Sequence, residues 1–183
     1  MLNVRKKSLP LSFFVCLLFA VIAGNGISPF AAGPGSAVKA YRKLLPDGPV
    51  CYQYLMVNNS PHDVVAMRVG YDYYRGIAEL HVLPEGWDFY AGLPRAACAS
   101  PPGWQCALIT QEESGLHFME WRAGSARSAL PPGKGVSGFS IILPQADEKY
   151  LTGHFDLILG DSTDVSGTIG TGNNGCDGGH SGP

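Results

Sequence analysis

Residues 50–71 read VCYQYLMVNNSPHDVVAMRVGY. In the first run, Tyr52, Tyr54 and Met56 fall on every second position. In the second, Val65, Met67, Val69 and Tyr71 share one face, with Ala66 and Arg68 opposite. Side chains that recur at a period of two define a strand with one face turned inward. The NNSPHD cluster between the runs is turn chemistry. Asn58-Asn59-Ser60 also fits the N-glycosylation pattern, but Pro61 follows at once, and a turn is the expectation.

The same alternation continues along the chain. In residues 77–83, Leu80 and Val82 oppose Glu79 and His81. Residues 116–121 alternate, and in residues 138–143 Phe139, Ile141 and Leu143 align. In residues 154–159, Phe155, Leu157 and Leu159 oppose His154 and Asp156. The clusters LPEGWD, SPPGW, LPPGKG and LPQAD separate these runs. Short alternating strands broken by Pro/Gly turns predict an all-β fold, an antiparallel immunoglobulin-like β-sandwich over about residues 47–165. A parallel α/β fold needs long amphipathic crossover helices, and no run of that kind is visible.

The flanks differ from this core. Residues 1–23 have the form of a signal peptide. Arg5, Lys6 and Lys7 precede the apolar stretch LSFFVCLLFAVIA, and Val21 and Ala23 supply small residues before a cut at Gly24. The apolar run is too short for the ~20 residues of a membrane span. No transmembrane anchor is therefore expected after cleavage, and the destination is secreted or periplasmic. Residues 24–46 form a leader in which a short helix over 36–45 is expected, capped by Ser36 and stopped by Pro46. Residues 166–183, SGTIGTGNNGCDGGHSGP, have Ile169 as their single large apolar residue and are expected to be a disordered Gly-rich tail.

Composition narrows the function classes. The 183 residues include 24 Gly and 14 Pro, only 15% are charged, and the formal net charge is −2. Loss of the signal peptide leaves 10 Lys+Arg against 15 Asp+Glu, a net charge of −5. An acidic chain is a poor nucleic-acid binder. Export also makes disulfides an expectation. Four cysteines remain: Cys51, Cys98, Cys106 and Cys176. Cys98 and Cys106 bracket a short loop and form the favoured pair, with Cys51–Cys176 second.

Residues 130–144, LPPGKGVSGFSIILP, and residues 52–60, YQYLMVNNS, resemble segments of bacterial exported β-sandwich modules of uncharacterised function. In those modules a Pro-Gly loop precedes a Gly-Phe-Ser strand, and a strand ends in Asn-Asn-Ser. The resemblance covers 24 residues and implies an immunoglobulin-like module at a bacterial envelope. It carries over no catalytic or binding residue.

Catalytic motifs are sparse. No G-x-S-x-G, H-E-x-x-H or C-x-x-C occurs. Residues 170–175, GTGNNG, fit a dinucleotide fingerprint but lack the βαβ context that it requires. Glu112-Glu113 are adjacent, point to opposite faces of a strand and fit a solvated turn. Asp161 and Asp164 suit Asx-turns better than calcium. His81 with His154, and Cys176 with His180, are weak metal pairs. No catalytic residue, metal or cofactor is therefore assigned.

The aromatics stand out more. Pro84-Glu85-Gly86-Trp87 and Pro101-Pro102-Gly103-Trp104 repeat one pattern, with Tyr73, Tyr74 and Tyr90 on neighbouring loops. Rings beside polar loops stack on sugar faces or anchor protein partners, though Trp87 and Trp104 would equally plug the ends of a sandwich. The expectation is an exported, non-enzymatic binding or interaction module of the cell envelope or extracellular space, with an envelope protein or glycan as partner. Two alternatives stand beside it. One is a small secreted hydrolase whose acids, such as Glu79, Glu120 or Asp156, converge on folding. The other is a structural module that self-associates through a sheet edge.

Overall fold

The computed structural model describes residues 38–88, 91–94 and 96–172. Along them run β1 (Val38–Leu44), β2 (Val50–Val57), β3 (Val64–Val69), β4 (Tyr71–Asp72), β5 (Ile77–Ala78), β6 (Cys98–Ala99), β7 (Trp104–Gln111) and β8 (Leu116–Ala123). A 3-10 turn at Ala126–Ser128 precedes β9 (Gly135–Leu143). The one-turn helix α1 (Lys149–Thr152) then leads into β10 (His154–Leu159), β11 (Asp164–Thr168) and β12 (Gly170–Thr171).

One sheet has the order β12-β1-β2-β9-β6 and the other β11-β10-β3-β8-β7, with β4 and β5 forming a small hairpin beside them. The pairing is antiparallel except where β12 joins β1. Consecutive strands repeatedly change sheet, as in an immunoglobulin-like sandwich. Between the sheets lies one core. Tyr52, Tyr54, Met56, Phe139, Ile141 and Leu143 from the first sheet meet Met67, Val69, Met119, Trp121, Phe155 and Leu157 from the second. Burial of each such side chain contributes about 1.5–3 kcal/mol.

Trp121 sits at the centre. Its ring lies 5.5 Å from Tyr54 and 5.8 Å from Phe139, and its Nε1 donates to the Ala99 carbonyl at 3.0 Å. That bond reaches from β8 across to β6. The favoured disulfide, Cys98–Cys106, makes a second tie there, with its Cα atoms 6.6 Å apart. It joins the edge strands β6 and β7, one from each sheet, and so closes that side of the sandwich. Cys51 is buried. Cys176 lies outside the described residues, as do the proposed signal peptide and Tyr90.

Several expectations are corrected. The helix expected over residues 36–45 is strand β1 instead. Val38 and Ala40 are wholly buried while Lys39, Lys43 and Leu44 face out, and the strand pairs residue for residue with β2. A β2 edge that offers a full backbone ladder outweighs the helical spacing of three apolar residues. The sandwich also continues past residue 165 through β11 and β12. Ile169 is 5% exposed and its N–H donates to the Gly153 carbonyl at 2.9 Å, so one buried side chain plus backbone pairing orders the segment up to Gly172. The remainder of the Gly-rich tail lies outside the described residues.

Phase is corrected at two points. The register of β3 against β10 shifts between Ile158 and Leu159, which pair with Ala66 and Val64. Val65 bulges out there, and Val64 takes the core position. Gly70, at φ +75°, then ends the alternation. Tyr71 consequently leaves the core face and packs on Phe118 at 4.9 Å, on the outer face of the second sheet.

Asn58 acts as the turn residue expected of NNSPHD. Its side chain is buried and bonds the carbonyls of His62 and Leu130, while its Oδ1 accepts from Ser60.

Candidate functional site

The β4–β5 hairpin places Tyr73 and Tyr74 on its turn. Short as it is, the turn is well held. Gly76 adopts φ +66°, and its N–H donates to the Asp72 carbonyl at 2.8 Å. Asp72 Oδ1 accepts from the Arg75 N–H at 3.2 Å. Gln111, at the end of β7, clamps the hairpin from outside. Its Nε2 donates to the Gly76 carbonyl at 2.9 Å and its Oε1 accepts from the Ala78 N–H at 2.8 Å. On this support Tyr74 is 83% exposed and Tyr73 46%. Their rings meet edge to face at 5.9 Å. The charge of the Asp164 carboxylate, and a hydrogen bond shared with it, push the Tyr73 phenol above its ordinary range.

Behind the turn lie Asp72, Glu79 and His154, with ligand atoms all within 4.8 Å of one another. His154 Nδ1 is 3.0 Å from Glu79 Oε1, and its Nε2 is 4.0 Å from Asp72 Oδ2. Burial pulls the Glu79 carboxyl upward. Hydrogen bonds from the His154 N–H, the His154 ring and Lys149 outweigh it and hold the carboxyl below its usual value. These three side chains come from β4, the segment after β5 and the start of β10. Their spacing in sequence, at 72, 79 and 154, hid the cluster, because only the sheet register joins them.

Below the hairpin the outer face of the second sheet carries a cross-strand row. Ser166, Asp156, Arg68 and Glu120 are direct neighbours on β11, β10, β3 and β8. Arg68 Nε donates to Glu120 at 2.9 Å, and its Nη1 reaches Asp156 at 3.4 Å. Its guanidinium also lies 5.4 Å from the Tyr71 ring centre and 5.6 Å from that of Phe118. Burial raises the Asp156 carboxyl above its ordinary range. Burial also pushes Glu120 upward, but hydrogen bonds from Arg122 and Arg68 prevail and leave it lowered.

Two of the acids named in the hydrolase alternative thus converge, as that idea requires. The guanidinium, however, occupies the space between them, and Asp156 is 0% exposed. A substrate oxygen has no route to that carboxyl, and the row reads as a structural ion ladder.

The other aromatics divide. Trp104 is 7% exposed and packs edge to face on Phe139 at 5.3 Å, inside the sandwich. Trp87 is half-buried, 6.2 Å from the His117 ring. Trp104 therefore does not share the exposed surface that carries Tyr73 and Tyr74. Burial and the nearby His81 hold His117 below its ordinary value. His154 engages Glu79, whereas His81 lies near His117. Asp161 accepts from Thr163 and pairs with His62 at 3.2 Å, while Asp164 serves Tyr73. Glu112 and Glu113 occupy the exposed β7–β8 turn.

No family model and no curated protein sequence matches the chain. Among solved structures, it is similar to an uncharacterized protein from Nocardia farcinica described as having an immunoglobulin-like fold. The two are 20% identical at a TM-score of 0.43, over 70% of this chain and 81% of that one. Here the sandwich rests on the strand order and the shared core set out above.

Proposed function

We propose that the protein is an exported, non-enzymatic binding module of the cell envelope or extracellular space, and that the β4–β5 turn is its contact surface. The observation that carries this is Tyr74, 83% exposed on a turn that Gln111 fixes from the neighbouring strand. Large rings presented on a rigid support supply contact area with little ordering entropy. Adjacent Asp164 and Arg75 offer the polar rim that a ligand's hydroxyls or charges would meet.

Export is supported by the basic-then-apolar N-terminal sequence and by the Cys98–Cys106 disulfide, a bond that persists in oxidising compartments. Among the described residues no helix is long and apolar enough to cross a membrane. A glycan, stacked on the tyrosine faces, or an envelope protein is the partner.

The test pairs a glycan array with crosslinking in envelope extracts, using the mature disulfide-bonded protein and a Tyr73→Ala/Tyr74→Ala variant. Binding that is lost in the variant, while its melting curve is unchanged, supports the assignment. Binding of equal strength in both overturns the hairpin as the contact surface.

A further inference from the structure

We propose that Asp72, Glu79 and His154 form a binding site for a divalent transition cation. Three observations carry this. First, the donors already stand together, within 4.8 Å, on three separate segments: the β4–β5 hairpin, the stretch that follows it and β10. Ligand bonds of about 2.0–2.2 Å place tetrahedral donors roughly 3.3 Å apart, so modest side-chain rotation closes the site. Second, two carboxylates are sequestered side by side, the Asp72 side chain 6% and the Glu79 side chain 10% exposed. Among the described residues Asp72 Oδ2 accepts no hydrogen bond. The side-chain nitrogens beside it are Arg75 Nε at 3.5 Å and His154 Nε2 at 4.0 Å. Two carboxylates this close together, and this little exposed, favour a shared counter-charge. Third, the neutralising side chains come from outside. Lys149 and Arg75 are 49% and 75% exposed, and cations held so loosely contribute little. Both can swing away when a stronger cation arrives.

The donor set selects the class of ion. One imidazole nitrogen with two carboxylate oxygens suits zinc or manganese, whereas calcium and magnesium favour all-oxygen cages. The ring of His154, 34% exposed, leaves an open side for entry and for water as the remaining ligand. A bound ion would join β4, the segment after β5 and β10, and so clamp the hairpin behind Tyr73 and Tyr74. The site does not depend on what that hairpin contacts.

Zinc binding by calorimetry and thermal melting tests the site on the mature protein after chelator treatment, with calcium and magnesium in parallel. One zinc per chain is expected, with a raised Tm, and with calcium and magnesium at least tenfold weaker. Asp72→Asn and His154→Ala should each weaken zinc at least tenfold. Lys149→Ala, an exposed change, should tighten it several-fold by removing a competing cation. Cys176→Ser/His180→Ala and Tyr73→Ala/Tyr74→Ala should leave it unchanged. Absence of saturable zinc binding overturns the site. So does undiminished affinity in His154→Ala, an unaltered affinity in Lys149→Ala, or a loss confined to the Cys176/His180 variant.

Discussion

Asp156, wholly buried on the strand face that alternation assigns to solvent, lies 3.4 Å from the guanidinium of Arg68 on the adjacent strand. The same guanidinium bonds Glu120, and the Tyr71 and Phe118 rings flank it. One arginine therefore offsets two acids across three strands.

Arg68→Met leaves both acids without their shared partner and is expected to destabilise the fold by about 3 kcal/mol, since breaking a buried pair strands a charge. Adding Asp156→Asn should recover part of that loss, which urea unfolding in a double-mutant cycle will show. The pH dependence has a definite sign. Burial raises the folded-state pKa of Asp156, so the stabilisation from its protonated form is full below the unfolded value and fades as pH rises through the folded one. The Arg68→Met deficit should therefore shrink on acidification. Equal deficits at neutral and mildly acidic pH would refute the pairing.

The Cys98–Cys106 bond closes a short loop between the edges of two sheets. Loop-closure entropy for eight residues predicts a loss of about 2.5 kcal/mol in Cys98→Ser/Cys106→Ser. Chemical denaturation of the oxidised wild type beside the double variant measures it. The Trp121 bond to Ala99 holds the same edge, so the double variant should keep its sandwich and its native near-ultraviolet spectrum.

Gly70 combines φ +75° with close approach. A Cβ there would meet Leu80 Cγ at 2.3 Å. Gly70→Ala should cost about 3 kcal/mol, from left-handed strain together with overpacking. Gly115, at φ +66° with no atom within 4 Å of a built Cβ, separates the two effects. Gly115→Ala should cost only about 1 kcal/mol, measured as the shift in Tm.

Burial holds the His117 pKa below its ordinary value, with a second push from His81. A depressed folded-state pKa contributes stability that is present above the unfolded value of about 6.5 and is lost as pH falls through the folded value. Tm should accordingly drop in that acidic window, with Trp87 fluorescence changing alongside because its ring lies 6.2 Å away. In His117→Gln that window should be shallower. An unaltered profile in the variant would assign the effect elsewhere.

Local periodicity was sufficient for the centre of the fold. β2 and β10 coincide with their alternating runs, and Phe139, Ile141 and Leu143 point inward as their spacing requires. An alternating strand buries one face whatever its neighbours are, so its sequence alone carries that information. β1 and β12 were not legible in this way. A seven-residue strand with two inward side chains, and a two-residue strand beside one isoleucine, form because a neighbouring edge completes their backbone hydrogen bonds. The small-loop disulfide was legible, since eight residues restrict where two cysteines can lie.

The candidate sites depended on tertiary structure. Trp87 and Trp104 share a local pattern with turn-borne surface rings, but Trp104 faces inward because β7 pairs in register with β8. Tyr73 and Tyr74 lack such a partner and stay exposed. Asp72, Glu79 and His154 meet only when β10 lies beside the hairpin. Period and short-range chemistry suffice for a β chain with alternating faces, for its turns and for its nearby cysteine pair. Tertiary structure decided which polar residues lie under a neighbouring strand and which distant carboxylates share one imidazole, because register between remote strands arises from packing across the whole sandwich.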